Sequence, residues 1–532
     1  MPSPSSETFA RLFSSYMNRL NAFERIALFP ILLLLAISLA CNFPMLRPPQ
    51  PEDEGLPLPE LPASTAAPLP PDVTLAPPVP SPTPTAAIEG TFEAPAGDEH
   101  SWTYPVQPGD TLAAVASRFG VETDQVASPE LIPPEGFIPS GQILTIPNVL
   151  DELVSAAPLL PDGEVIYSPS TVGFDISDFI ARSGGFLSAY QEEVEGERLS
   201  GAQIVQRVAE ETSTNPRLLL SFLEYRSGWV TGEPQNSEKV IYPIGFYVPG
   251  YRGLYLELSL AAKQLNIGYY GWRLGTVAEL VFPDGSRRRL NPTLNAGTVA
   301  VQYLFSKFYR PVLWDDTLYG ADNFFLLHFQ LFGDAWERSA ASGPLLDAAL
   351  AQPDLELPFA PGERWSFTGG PHRSWNTGTP LGALDFSPVT GDPPCLASGA
   401  WVTASAGGVV ARAERNLVVL DLDGDGYEQT GWVLFYLHVA DRDRIVAGAW
   451  VGADEPIGHP SCEGGNATGT HVHIARKYNG EWLSADGPVP FVLSGWRAAN
   501  GSRYYEGYLI KDDQLVASNP GGSRSSIIIR QP

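Results

Sequence analysis

Two histidines in one short stretch, His471 and His473 in Gly469-Thr470-His471-Val472-His473, open the question of chemistry. On a β-strand, side chains two residues apart share a face, so both imidazoles would point into one cleft. The chain has seven histidines, and five of them fall between His372 and His473. Imidazole binds metal through a neutral ring nitrogen and carries protons near neutral pH. A His-x-His pair alone is a weak signal, so the surrounding residues must supply the remaining ligands. Four clusters do: Gly369-Gly370-Pro371-His372 with Ala383-Leu384-Asp385-Phe386; Phe435-Tyr436-Leu437-His438; Pro456-Ile457-Gly458-His459; and the opening stretch itself. Histidines together with one carboxylate are a catalytic zinc donor set, in which the fourth position is left to water.

These clusters need a scaffold that lines them up. From Phe367 onward the chain is rich in Gly, Ala and Val, with short apolar runs such as Leu417-Val418-Val419-Leu420 and Trp432-Val433-Leu434-Phe435-Tyr436. Turn residues punctuate the runs, which predicts an antiparallel all-β domain over residues 361–532. Residues 500–532 alternate like terminal hairpins packed on that domain, with a tail expected to fray.

The order and content of the four clusters resemble the lysostaphin-like zinc endopeptidases of bacterial cell walls. The wide spacing of His372 from Asp385 is similar to the β-lytic branch. The resemblance implies His372, Asp385 and His473 as zinc ligands. It implies His438 and His471 as the pair that orients the nucleophilic water, moves its proton and stabilises the oxyanion. His459 lies outside the family's set and is expected to be structural. The rival reading is a catalytically inactive relative that binds the wall and activates or positions another hydrolase.

Cys395 and Cys462 share this region and, by the N-terminal signal described below, an exported compartment, so a disulfide is their expected state, with a fourth zinc ligand as the alternative. Asp421-Leu422-Asp423-Gly424-Asp425-Gly426 opens like a calcium loop, but Trp432 stands where the closing Glu belongs. An acidic hairpin turn is the expected reading, and a Ca²⁺ site on Asp421, Asp423 and Asp425 the alternative.

Upstream, Arg11, Arg19 and Arg25 precede the uncharged apolar run Ile26 to Ala40, a pattern of export. Ser38-Leu39-Ala40-Cys41 resembles a lipoprotein cleavage site, so residues 1–41 are expected to anchor the chain in a membrane, either through a lipid on Cys41 or as an uncleaved segment. Residues 42–100 are Pro-rich and fit an extended spacer. Residues 101–149 carry Gly109-Asp110-Thr111, an apolar helical stretch, and Gly141-Gln142-Ile143-Leu144-Thr145-Ile146-Pro147. The segment resembles a LysM domain, a βααβ module that binds N-acetylglucosamine-containing glycans such as peptidoglycan.

Residues 150–360 show helical periodicity and predict a mainly α-helical domain. Asn215 through Trp229 resembles the acid-bearing helix of lysozyme-like transglycosylases. Arg226 holds the position of the acid, and arginine gives up no proton. Glu224 would face elsewhere, so a degenerate or structural domain is expected, with His328 a satisfied core histidine.

The fold class expected is therefore multidomain: a βααβ module, a helical middle and an all-β metallopeptidase domain. Sixty Asp and Glu against 33 Lys and Arg, net −27, with no basic block, argue against a nucleic-acid partner. The expected partners are peptidoglycan and, through the N-terminus, a membrane, and the expected site is the extracytoplasmic envelope.

Overall fold

A computed structural model of the chain describes residues 100–531 except Asp392 and Ala397. The expected anchor, with Cys41, and nearly all of the spacer lie outside the described residues. Among the described residues no helix is long and apolar enough to cross a membrane.

The first element is the small module. Ser101–Pro105 pairs antiparallel with Ile143–Pro147, and helix Leu112–Phe119 packs against the pair. Thr111 caps that helix, its hydroxyl accepting the Ala114 N–H at 3.3 Å, and Gly120 ends it in the left-handed region. The expected second helix is absent. A single 3₁₀ turn, Thr123–Gln125, takes its place, followed by irregular chain to Gln142. Pro129, Pro133, Pro134 and Pro139 explain the loss, since each removes a helical N–H and biases the residue before it toward extended backbone. The module keeps its own core around Tyr104, Val115, Phe119, Leu144 and Ile146. It also leans on the helical region through Ser117 Oγ to Gly275 O (2.6 Å) and Arg289 Nη2 to Arg118 O (2.8 Å).

The middle region is helical, as periodicity predicts, with helix Leu254–Arg273 at its centre against Gly201–Thr212 and Ala296–Phe305. Helix Pro216–Ser227 is the one that resembles a transglycosylase helix. Its Glu224 is occupied: Oε2 accepts the N–H groups of Val230 (2.7 Å) and Thr231 (3.1 Å), and Oε1 accepts the Thr231 hydroxyl. Arg226 donates to Ile244 O at 2.7 Å and lies over Phe308. Neither side chain is free to act as an acid.

The C-terminal region is built on one antiparallel sheet. Its strand order is Trp450–Val451, Gly408–Glu414, Leu417–Asp421, Trp432–Leu437, Val472–Tyr478, Leu381–Pro388, Arg364–Arg373 and Ile527–Ile529. One face, with Val418, Leu420, Leu434, Tyr436, Val472 and Ile474, packs inside the β-domain. The opposite face, with Val419, Val433, Phe435 and Ala475, joins the core of the helical region. Both faces are therefore covered, which is why these strands read as continuous apolar runs rather than clean alternation. The expected boundary near residue 360 divides two chain segments, but one of the two cores draws residues from both sides of it.

The tail does not fray. Ile527–Ile529 adds a strand at the edge of the sheet, and buried Arg530 pairs with Glu356 at 3.1 Å and with Asp454. The acidic stretch is a turn between Leu417–Asp421 and Trp432–Leu437, and its carboxylates cap its own backbone. Asp421 accepts the N–H groups of Asp423 (3.1 Å) and Gly426 (2.8 Å), and Asp425 accepts that of Tyr427 (2.8 Å). The three carboxylates come within 4.8 Å of one another, and we assign no ion to them.

His328 is buried but only half satisfied. Its Nδ1 meets Ser221 Oγ at 2.8 Å, while Nε2 has no hydrogen-bond partner. Burial, then the charges of Arg338 and Arg217, push its pKa from 6.5 down to about 3. The native chain thus binds fewer protons here than the unfolded chain between pH 6.5 and 3, so this group's share of stability is lost as pH falls through that window. From pH 7 to pH 5 the loss is roughly 2 kcal/mol, since each pKa unit is about 1.4 kcal/mol. Urea unfolding at the two pH values should show His328→Gln losing less than wild type by about that amount. Equal losses would refute it.

Candidate metal centre

Three strands of the sheet bring the predicted residues together. Asp385 on Leu381–Pro388 stands directly opposite His473 on Val472–Tyr478, and His372 on Arg364–Arg373 stands opposite Ala383. The Val472 strand also pairs with Trp432–Leu437, where Leu437 faces His473. His438 follows one residue later. Alternation puts His473 and Ala475 on the same face of the sheet, the one that the helical region covers further along.

His372 Nε2 lies 3.0 Å from His473 Nδ1, and Asp385 Oδ1 lies 3.3 Å and 3.4 Å from those nitrogens. His372, Asp385 and His473 are all buried. Gly369 permits the approach, because a Cβ there would collide with the Asp385 carboxylate. The outer nitrogen of each ring meets a main-chain carbonyl: His372 Nδ1 to Gly370 O at 2.9 Å, and His473 Nε2 to Ser374 O at 3.0 Å. A carbonyl only accepts, so each outer nitrogen carries the proton and each inner nitrogen presents a lone pair.

Two lone pairs and a buried carboxylate oxygen without a hydrogen-bond donor therefore converge on one point. That arrangement is repulsive unless a cation sits among them, and the N₂O donor set suits zinc. The three groups also shift one another's proton affinities. Burial alone would lower His372, but the Asp385 carboxylate beside it overrides burial and raises its pKa. Burial would raise Asp385, yet His372 and then His473 hold it well below the usual carboxylate range. Burial lowers His473.

His438 and His471 stand next to the trio with ring centroids 4.5 Å apart. His438 Nδ1 donates to Glu463 O at 3.0 Å and His471 Nδ1 to Gly469 O at 2.7 Å, so both present Nε2 as an acceptor. His471 Nε2 lies 3.8 Å from Asp385 Oδ1. Burial and the neighbouring His471 and His473 push His438 down to about 4, so it is neutral in the physiological range.

His438 also has a left-handed backbone, φ 65°, a conformation that costs a non-glycine residue roughly 1–2 kcal/mol. Its carbonyl accepts both the N–H and the hydroxyl of Ser461, at 2.8 and 3.0 Å.

The remaining candidates fall into place around this centre. Cys395 and Cys462 are joined in a disulfide with Cα atoms 4.9 Å apart, which leaves neither as a thiolate to bind metal. His459 stays outside: its Nδ1 donates to Ala400 O at 2.7 Å and its ring packs on Trp401. Sequence reasoning missed Tyr505, whose ring stacks on His372 at 4.2 Å. It sits in a stretch legible only as a hairpin. The four acceptor carbonyls were equally invisible, since a backbone oxygen leaves no mark in residue type.

A family profile described as the LasA N-terminal domain matches residues 158–345, the helical region. Protease LasA of Pseudomonas aeruginosa is 27% identical over 358 residues, covering 63% of this chain and 77% of that protein. That match is longer than the whole β-domain and so extends into the helical region as well. The beta-lytic metalloendopeptidase of Lysobacter enzymogenes is 32% identical over 160 residues, 28% of this chain and 82% of that protein. Among solved structures, the M23 metalloprotease pseudoalterin from the deep sea is matched at 23% identity with a TM-score of 0.26, over 31% of this chain and 96% of its own. The identity to the Lysobacter enzyme across most of that enzyme's length carries the assignment: the chain belongs to the beta-lytic metalloendopeptidase family.

Proposed function

We propose that this metalloendopeptidase hydrolyses peptide cross-links of bacterial peptidoglycan outside the cytoplasm, with zinc held by His372, Asp385 and His473. The observation that carries the reading is the convergence of two imidazole lone pairs and a buried carboxylate oxygen without a hydrogen-bond donor, flanked by two further imidazoles whose Nδ1–H groups are tied to carbonyls and leave Nε2 as the acceptor. Bound there, zinc would supply Lewis acidity and lower the pKa of a water toward neutrality.

The other steps fall to the chain's own groups. The Nε2 atoms of His438 and His471 face the reaction space as acceptors, and one of them takes the proton of the attacking water. Once protonated, the same nitrogen donates to the oxyanion and then gives its proton to the leaving amine, while the Nε2 of the second ring accepts from the remaining hydrogen of the nucleophile and orients it. The carbonyls of Glu463 and Gly469 keep Nδ1 protonated throughout, so neither ring can turn its acceptor away.

Two features favour a wall polymer over a soluble peptide. The 101–149 module resembles a glycan-binding fold and rests on the enzyme itself. A glycan grip raises the local concentration of cross-links by tethering. The β-lytic likeness favours Gly-containing bridges as the scissile segment. An N-terminal anchor would hold the enzyme in the envelope and leave the Pro-rich spacer to span the distance to the wall.

Mass spectrometry of fragments released from purified peptidoglycan tests the substrate. New peptide amino termini should appear, vanish with a chelator and return with zinc. Release of new reducing ends alone, or release indifferent to the chelator, would rule the reading out. The division of labour gives a second test. His473→Ala should lose zinc and activity together, whereas His471→Ala should keep about one zinc per chain with activity down roughly 100-fold or more. Zinc loss of equal extent in both variants would show that the two histidines do not have separate tasks.

A further inference from the structure

The three ligand candidates are fixed by ladder pairing within the sheet, but His438 and His471 are not. His438 lies one residue beyond Trp432–Leu437, and His471 one residue before Val472–Tyr478. Between Cys462 and His471 the chain carries Gly464, Gly465 and Gly469 and forms no strand, so little in its own backbone preference holds it still. Something else must fix the two rings.

Buried Ser461 and the two residues after it do so. Ser461 donates twice to the His438 carbonyl, from N–H at 2.8 Å and from Oγ at 3.0 Å, and its own carbonyl accepts the His471 N–H at 3.2 Å. Ser461 Oγ also accepts the Glu463 N–H at 3.0 Å, which places the Glu463 carbonyl on His438 Nδ1. Cys462 stands between these two residues and is bonded to Cys395. On the far side, Leu396 O accepts the Thr470 hydroxyl at 2.9 Å, one residue before His471. The loop closes on itself through Cys395–Leu396, Ser461–Glu463 and Thr470–His471.

We propose that Ser461 and the Cys395–Cys462 disulfide form a clamp that positions His438 and His471 and leaves the metal trio untouched. The inference rests on the reading of those two histidines as the proton-handling pair. A left-handed non-glycine residue persists only where its surroundings over-determine it. Ser461 supplies that constraint at His438, and the disulfide keeps Ser461 in place against a glycine-rich segment. Without the clamp, His438 relaxes toward the right-handed region and its Nε2 swings off target. Misplacement by about 1 Å costs on the order of 100-fold in rate.

The test uses the full chain with Ser461→Ala, Ser461→Thr and the double variant Cys395→Ser/Cys462→Ser. Measured are kcat and KM for peptide release, zinc per chain, and the ¹⁵N shifts of the His438 ring. Ser461→Ala and the double variant should lower kcat about 10- to 100-fold with KM and zinc content held. The His438 ring should pass from a single Nδ1–H tautomer to a mixture. Ser461→Thr, which keeps the hydroxyl, should restore both kcat and the ring signal.

In a His438→Ala background, Ser461→Ala should cost little further. Unchanged ring shifts in Ser461→Ala, parallel loss of zinc, or full additivity with His438→Ala would each overturn the clamp. If His438→Ala itself kept wild-type kcat, the functional reading of the pair would fail instead, and the ring shifts would still report the clamp.

Discussion

The site exists because one strand sits between two others in a fixed register. Val472–Tyr478 pairs with Leu381–Pro388 on one side, setting His473 opposite Asp385, and with Trp432–Leu437 on the other, setting His473 opposite Leu437. A slip of one residue would turn every side chain of the strand to the other face. His473 would enter the β-domain core and Val472 would face the metal position. The register is held by burial on both faces: Val472 and Ile474 fit one core, Ala475 the other. Packing against the helical region is thus part of what specifies the geometry of the metal centre.

That packing is only partly apolar. Glu428 is chelated by Arg412 at 2.9 and 3.1 Å and meets Lys477 at 3.2 Å, while Glu210 of helix Gly201–Thr212 lies 3.7 Å from Arg412. Burial works against the charge on Glu428, but Arg412 and then Lys477 hold it down at about 2. Further along, Glu481 takes Tyr269 OH at 2.9 Å and Arg273 at 3.2 Å, and Ser213 Oγ donates to Gly480 O at 2.6 Å. Buried ion pairs of this kind add little net stability but penalise any arrangement that leaves one partner alone. They favour one docking geometry of helices on sheet over its neighbours.

The candidate ligands were legible in the sequence because histidine is rare in the chain and does chemistry that few side chains can. His372, Asp385, His438, His471 and His473 meet in space, as the resemblance of their motifs implied. The β class of the C-terminal region was legible too, though the continuous run Leu417 to Leu420 carried more than was taken from it: a strand apolar on both faces implies a second covering layer. The missing helix of the module was written in Pro129, Pro133, Pro134 and Pro139, against a pattern that otherwise fits βααβ. The ordered tail was not legible, because Ile527–Ile529 gains its order from pairing with Ser366 and its neighbours, a contact across the length of the domain. Nor was the setting of the rings, which depends on carbonyl oxygens common to every residue.

Those carbonyls carry a consequence for the chemistry. Histidine ligands are often backed by carboxylates, which add negative charge to the centre. Here the outer nitrogens of all four rings meet backbone oxygens of Gly370, Ser374, Glu463 and Gly469. Among the described residues, Asp385 is the carboxylate that lies within ion-pair distance of these rings. Glu463 lends its carbonyl, while its side chain turns away to Asn416 at 2.7 Å. A divalent cation bound by two neutral imidazoles and one carboxylate keeps a single net positive charge. In a chain of net charge −27, excluding further acid from this point would preserve the electrophile that a bound metal offers to a peptide carbonyl. The neutral carbonyls fix each tautomer without reducing that charge, so orientation and electrophilicity are set independently.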